Sequence, residues 1–285
     1  KEKYGDERRT KVVPHPLKIF SNEALIPNED TIITYSAGGY VKRLPPDTFK
    51  SQRRGGKGLI GSDVAEEDFL SHFFSAETHD NLLFFTDKGR VFQTKVYEIP
   101  AASRISKGKA IHNFLELPTD ENVSAIVSYH PKKQQDGFLI MVTKRGVIKK
   151  TSLADFLNIR RTGIIGMRLK KGDLLKWVRL SGGKDEVILT TRLGQSIRFK
   201  ETQARPMGRA AAGVRGIRLK KDDEVAGFDV IKESNAKVLV VMANGFAKQT
   251  PLKDYRLQSR GGSGIKTAKI TPKTGQVISA HIICD

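Results

Sequence analysis

Val187-Ile188-Leu189-Thr190, then Gly194, then Ile197-Arg198-Phe199-Lys200: an apolar run, a glycine and a basic alternating run succeed one another within residues 187–200. The first run is apolar throughout and rich in β-branched side chains, which suits a short strand covered on both faces. The second alternates apolar with basic residues, as a half-exposed strand does. The glycine between them supplies the positive φ of a tight hairpin turn. The same triplet occurs four more times. Its opening runs are Thr31–Tyr35, Leu82–Phe85, Phe138–Val142 and Val238–Met242, followed by Gly39, Gly89, Gly146 and Gly245. Its basic runs are Tyr40-Val41-Lys42-Arg43, Arg90-Val91-Phe92-Gln93, Val147-Ile148-Lys149-Lys150 and Phe246-Ala247-Lys248-Gln249.

The repeat length is about 50 residues, the range of propeller-like arrays. Each unit continues into a loop that closes on a second glycine: Gly58, Gly108, Gly163, Gly213 and Gly264. These lie 17 to 19 residues after the turn glycine in every unit, a regularity that chance does not give. Two short strands are expected after the loop, as at Met167-Arg168-Leu169 then Leu174–Leu180, and at Gly216–Leu219 then Val225–Ile231. The fold class that follows is all-β: a propeller-like array of four-stranded antiparallel blades, stacked because no blade can bury both its faces alone. Blade boundaries fall near 30–79, 80–135, 136–184, 185–235 and 236–285. Helical periodicity is scarce; Leu153–Leu157 reads as one turn. Residues 1–29, with Pro14, Pro16 and Pro27 and no sustained period, read as a short helical remnant followed by an extended linker. An acidic residue (Asp80, Asp136, Asp185) precedes the opening strand of units two, three and four, and the chain stops at Asp285. Five repeats are therefore visible and a sixth is expected to be missing.

Charge narrows the function. The chain carries +19 at pH 7. Residues 1–30 hold equal numbers of basic and acidic groups, so the whole excess falls on residues 31–285. A body that basic attracts polyanions. Nucleic acid is the leading partner; an anionic membrane surface lacks the amphipathic basic helix it would need. There is no apolar run of transmembrane length and no signal-peptide core at the first residues. A single cysteine, Cys284, excludes an internal disulfide framework and fits a reducing cytoplasm. The six histidines are scattered without metal-ligand spacing, so no metal site is expected. No triad or carboxylate pair stands out, and Tyr97 and Tyr255 sit in repeat elements rather than as nucleophiles. Gly208–Gly213 has the glycine spacing of a P-loop, but Val214-Arg215 follows where Lys-Ser/Thr is required.

The loop of unit one is the most basic: Gln52-Arg53-Arg54-Gly55-Gly56-Lys57-Gly58. Arg grips phosphate oxygens in a planar fork, Lys acts as a point charge, and glycines bring backbone N–H groups close to an anion. A single stretch of this kind is as readily a solvated basic turn as a grip on a polyanion. Here it has copies in Ala102–Gly108, Ile159–Gly163, Met207–Gly213 and Gln258–Gly264, and every copy keeps at least one Arg. With the basic strands they give a perimeter set of Lys42, Arg43, Arg90, Arg104, Lys107, Lys149, Lys150, Arg160, Arg161, Arg198, Lys200, Arg209, Lys248 and Arg260. Cations repeated around one rim suit a curved path of phosphates better than one pocket. Some strand cations will be ordinary surface charge, and Trp177 reads as core rather than a stacking platform.

Gln52–Gly58 resembles the signature box of the gyrase A C-terminal domain, and the five units resemble that domain's β-pinwheel blades. Gly38–Lys42, Lys95–Pro100 and Gly213–Leu219 fit too, and Tyr4–Thr10 is similar to the end of the gyrase A breakage-reunion core. The resemblance implies a DNA-wrapping module, with the box as its fastening point, preceded at 1–29 by a remnant of the core and linker. It implies duplex DNA as partner, together with the rest of a dimeric gyrase A and with gyrase B in an A2B2 DNA gyrase assembly, in the bacterial cytoplasm. Catalysis would lie outside this chain, in an ATP-dependent type IIA topoisomerase that introduces negative supercoils. No cofactor would be bound here, ATP and Mg2+ being used elsewhere in the holoenzyme. Two alternatives stay open: the C-terminal domain of topoisomerase IV, which recognises DNA crossings, and a basic propeller scaffold for acidic proteins.

Overall fold

The structure, a computed structural model, describes residue 3 and residues 22–49, 68–131, 133 and 136–284. The box at Gln52–Gly58, the Tyr4–Thr10 stretch and most of the leading segment lie outside the described residues. Unit one supplies β1 (Asp30–Ser36), β2 (Tyr40–Leu44) and β3 (Leu70–Glu77). Unit two supplies β4 (Asn81–Thr86), β5 (Arg90–Lys95), β6 (Lys109–Ala110) and β7 (Val123–Tyr129). In unit three these are β8 (Phe138–Thr143), β9 (Val147–Ser152), β10 (Ile164–Ile165) and β11 (Leu175–Ser181). Unit four has β12 (Glu186–Thr191), β13 (Gln195–Lys200), β14 (Val214–Arg215) and β15 (Val225–Ile231), and unit five β16 (Lys237–Met242), β17 (Ala247–Pro251), β18 (Ile265–Lys266) and β19 (Val277–Ile283). The described helices are short 3-10 turns, one of them at Leu153–Phe156 where a single turn was expected.

The opening hairpins form as read. β12 pairs antiparallel with β13 from Glu186↔Lys200 to Thr190↔Ser196, and Gly194 turns the chain with φ +79. The other turn glycines also have positive φ. The strand that follows each described loop departs from expectation. It is two residues long, it begins directly after the closing glycine, and it leaves its own unit. β6 pairs with β2 of unit one, β10 with β5, β14 with β9 and β18 with β13. Met167–Leu169 and Gly216–Leu219 are not strands. Each of the first four sheets therefore takes three strands from its own unit and a fourth from the next, in orders such as β11-β8-β9-β14. The fifth, β17-β16-β19, has three, and no described strand pairs with the outer edge of β17.

This exchange decides where the core sits. The opening strands are apolar on both faces because blades pack face to face, and β4 is buried along its whole length. Each hydrophobic cluster spans consecutive units: Ile33 and Val41 pack with Leu82, Phe84 and Phe92, and Ile140 and Val142 with Val187, Leu189 and Phe228. Trp177 is partly buried against the latter cluster. At the inner ends of the sheets β3, β7, β11, β15 and β19 touch in succession. The last approach is so close that a Cβ at Gly227 would lie 2.7 Å from the backbone N and O of Ala280.

Candidate nucleic-acid interface

The described loops that close on glycine lie along the outer edges of the sheets, and each wraps the unit before its own. In units two, four and five the start of the loop runs parallel to the basic strand, with bridges Arg43↔Ala101, Lys150↔Pro206 and Arg198↔Leu257. At its end it returns antiparallel as the two-residue strand. Between these anchors the chain must cross the basic strand at backbone contact. At Gly213 (φ +86) a Cβ would stand 2.7 Å from Ile148 O; at Gly264 (φ +76) it would stand 2.5 Å from Ser196 O. The closing glycine recurs because only hydrogen fits there in that conformation.

The covering loop separates the strand cations into three groups. Lys42, Lys149 and Lys150, read from the sequence as perimeter cations, are buried. Lys42 Nζ donates to Arg104 O and Ser106 O at 2.6 Å, and to Ser103 O at 3.4 Å. Lys149 Nζ donates to Gly166 O at 2.7 Å and to Arg209 O. Lys150 Nζ meets Gly183 O at 2.8 Å, Glu201 at 3.5 Å and the face of Phe138. The alternating pattern suggested half-exposed strands; the loop of the next unit, remote in sequence, covers Lys42 and Lys149, while Lys150 is enclosed by Phe138, Gly183 and Glu201. Burial pushes the Lys149 ammonium down to about 8, with Asp155 opposing and Arg209 adding to the shift.

A second group is half-buried and engaged. Arg198 is held by Glu186 at 2.6 Å and by the carbonyls of Leu252 and Tyr255 at 3.0 Å, so its charge is neutralised. Arg43 donates to Ile99 O, Arg90 to Thr162 O, and Arg260 to Gln203 O. Arg104 is half-buried as well. The third group is exposed: Lys107, Arg160, Arg161, Lys200, Arg209 and Lys248. Lys107 lies over the Tyr40 ring at 4.0 Å, and Arg209 reaches back to Asp155 O at 3.1 Å. A groove of about 840 Å3 runs from Arg90 and Gly163–Ile165 to Gly208–Ala211, joining the outer edges of consecutive blades.

Sequence reasoning passed over a further row. Arg168, Arg218 and Lys269 are exposed, each five residues after a closing glycine, and Arg215 and Lys266 are exposed two residues after one. Arg145, Arg215 and Arg218 line a second groove of about 650 Å3. The offset from the closing glycine was the signal available; reading those residues as an in-blade strand hid it. The fold also brings Glu77, Asp80 and His130 within 4.8 Å of one another, a set suited to a cation that no spacing reveals. The Lys133 ammonium lies 2.7 Å from Glu77 and already supplies positive charge there.

The model of the DNA gyrase C-terminal domain, a β-propeller, matches residues 30–77, 80–128, 137–181, 185–232 and 237–284. The DNA gyrase A protein of Staphylococcus epidermidis is 45% identical over 279 residues, covering 98% of this chain and 31% of that protein. Its counterpart in Staphylococcus aureus is 44% identical, with 98% and 32% covered. The chain thus spans about a third of the length of these curated relatives. Among solved structures, the C-terminal domain of DNA topoisomerase IV superposes with a TM-score of 0.74 at 26% identity, covering 91% of this chain and 79% of that one. The DNA gyrase A C-terminal domain gives 0.74 at 25%, covering 90% and 83%.

Proposed function

The chain belongs to the DNA gyrase C-terminal domain family of β-propellers, and from that premise we propose that it binds duplex DNA along its outer perimeter and bends it into a wrap. The observation that carries this reading is the succession of arginine-bearing loops, fixed to the outer strand of the preceding blade at both ends in units two, four and five and at the closing end in unit three. Exposed cations repeat at that edge from blade to blade, so phosphates meet them along a curve. Bending 20–30 bp by 40–90° costs on the order of 1–6 kcal/mol, which distributed phosphate contacts and counterion release offset. No helix among the described residues is placed to read bases, so preference among sequences rests on DNA deformability. The box at Gln52–Gly58, with Arg53, Arg54 and Lys57, fastens the wrap.

In this reading the chain serves a gyrase. The wrap presents a crossing of fixed hand to the remainder of gyrase A and to gyrase B, whose ATP- and Mg2+-dependent strand passage introduces negative supercoils in the cytoplasm. The chain supplies no catalytic group or cofactor to that reaction. The equal superposition on the topoisomerase IV domain favours a second reading, recognition of DNA crossings without a tight wrap. Closed circular DNA relaxed in the presence of the protein separates the two. A linking-number change of one sign, lost on substituting Arg53, Arg54 and Lys57 by Ala, supports wrapping. Binding without a linking-number change supports crossing recognition. Failure of the protein to bind DNA refutes both.

A further inference from the structure

Lys42 and Lys149 occupy the same place in their units, three residues after the turn glycines Gly39 and Gly146. Each sends its ammonium outward into the arginine-bearing loop of the next unit rather than to solvent. An ammonium has three donors and no acceptor, so the carbonyls it binds must converge on it. In a trans peptide the C=O and the following N–H point in opposite directions. With Arg104 O and Ser106 O turned inward on Lys42, the N–H groups of Ile105 and Lys107 are turned outward. With Arg209 O turned inward on Lys149, so is the N–H of Ala210. Among the described residues no group accepts from these three N–H groups. Lys107 and Arg209, in the same loops, are exposed.

Unit five provides the comparison. Lys248 has the same offset from Gly245, but no described loop or strand covers β17, and Lys248 is exposed. The lysine is buried on β2 and β9, where a loop lies on it, and exposed on β17, which no described residue outside its own blade covers. Units two and four carry Phe92 and Ile197 at this position, so their covering loops rest on apolar side chains instead.

We infer that Lys42 and Lys149 are positioning residues for DNA phosphate: the ammonium buried under each loop holds its carbonyls inward, Arg104 O and Ser106 O at Lys42 and Arg209 O at Lys149, and so aims the N–H groups of Ile105 and Lys107, or of Ala210, at the phosphodiester backbone. Outward N–H groups above a buried cation form an anion-binding concavity. The assignment rests on the DNA-binding reading and separates from it in experiment. It places these lysines under the loop, so they contribute through geometry and not by touching phosphate.

Two measurements on the full-length protein test this. The first needs no variant: amide hydrogen exchange at Ile105, Lys107 and Ala210, with and without linear duplex DNA. Slower exchange on DNA binding at all three is expected; unchanged exchange while DNA is bound overturns the assignment. The second compares Lys42→Met and Lys149→Met with Lys200→Ala across salt concentrations. A phosphate-contacting lysine lowers the log–log salt slope by about 0.9 when removed. Lys200→Ala should do so. The two Met variants should lose affinity at fixed salt by roughly tenfold, the scale of one charge-assisted hydrogen bond, with the slope kept. A slope lowered by about 0.9 in the Met variants would mean direct phosphate contact and overturn the proposal. So would wild-type affinity. Loss of DNA binding by the unsubstituted protein would instead strike the DNA reading itself.

Discussion

Gly213→Ala isolates the step on which the blade exchange depends. Gly213 sits at φ +86 where the loop of unit four crosses the basic strand of unit three. A left-handed conformation costs an Ala roughly 1–2 kcal/mol. The new Cβ would also lie 2.7 Å from Ile148 O and 3.0 Å from Val147 Cγ1, the first a backbone atom that cannot rotate away. Relief requires the β14–β9 ladder to open, and each lost hydrogen bond costs about 1 kcal/mol. The sum is about 3 kcal/mol, and for a domain of this size that corresponds to a fall in Tm of roughly 6–12 °C. Gly208→Ala is the control in the same loop. Its φ is not left-handed and nothing lies within 4 Å of the added Cβ. That variant should be neutral or more stable by about 0.5 kcal/mol, through the unfolded chain's lost entropy. Urea unfolding of both variants checks the difference. Equal midpoints would refute the claim that the closing glycine is required by backbone contact.

Glu201 is fully buried and accepts from Ser181 Oγ at 2.6 Å and Asp185 N at 2.9 Å while facing Lys150 at 3.5 Å. Glu201→Ala should therefore cost roughly 3–5 kcal/mol in denaturant unfolding by leaving a buried ammonium without its counter-charge, and a loss under about 1 kcal/mol would mean Lys150 escapes to water. Lys149 titrates at about 8 in the fold against an ordinary 10.5, because burial disfavours its charged form. Between those values the unfolded chain binds more protons, so the stability linked to this residue should rise with pH through that window. DNA affinity should fall over the same window, since a neutral amine holds the loop carbonyl less strongly than the charged ammonium does. Lys149→Met should abolish both trends, and their persistence in that variant would assign them to another group.

The repeat was legible because it is local chemistry. Val187–Thr190, Gly194 and Ile197–Lys200 state a buried strand, a left-handed turn and a second strand without reference to the rest of the chain. The recurring closing glycines marked where a backbone must come close to something, and the excess of Lys and Arg named a polyanion. The partner of each short strand was not legible. Val214-Arg215 looks the same whether it pairs within its own unit or with β9 of the unit before, since two residues carry no register of their own.

The division among the cations has the same origin. Lys42, Lys149, Lys200 and Lys248 are alike in sequence, each a basic residue on the second strand of a hairpin. The sequence by itself determined that such residues recur with the blades and that the molecule would be a basic, repetitive β array. The tertiary structure alone decided which of them face water. That depends on where along the strand the residue stands as well as on a loop some 60 residues further on: Lys42 lies under the carbonyl of Arg104, whereas Lys200, at the far end of β13, stays exposed although the loop of unit five crosses that strand.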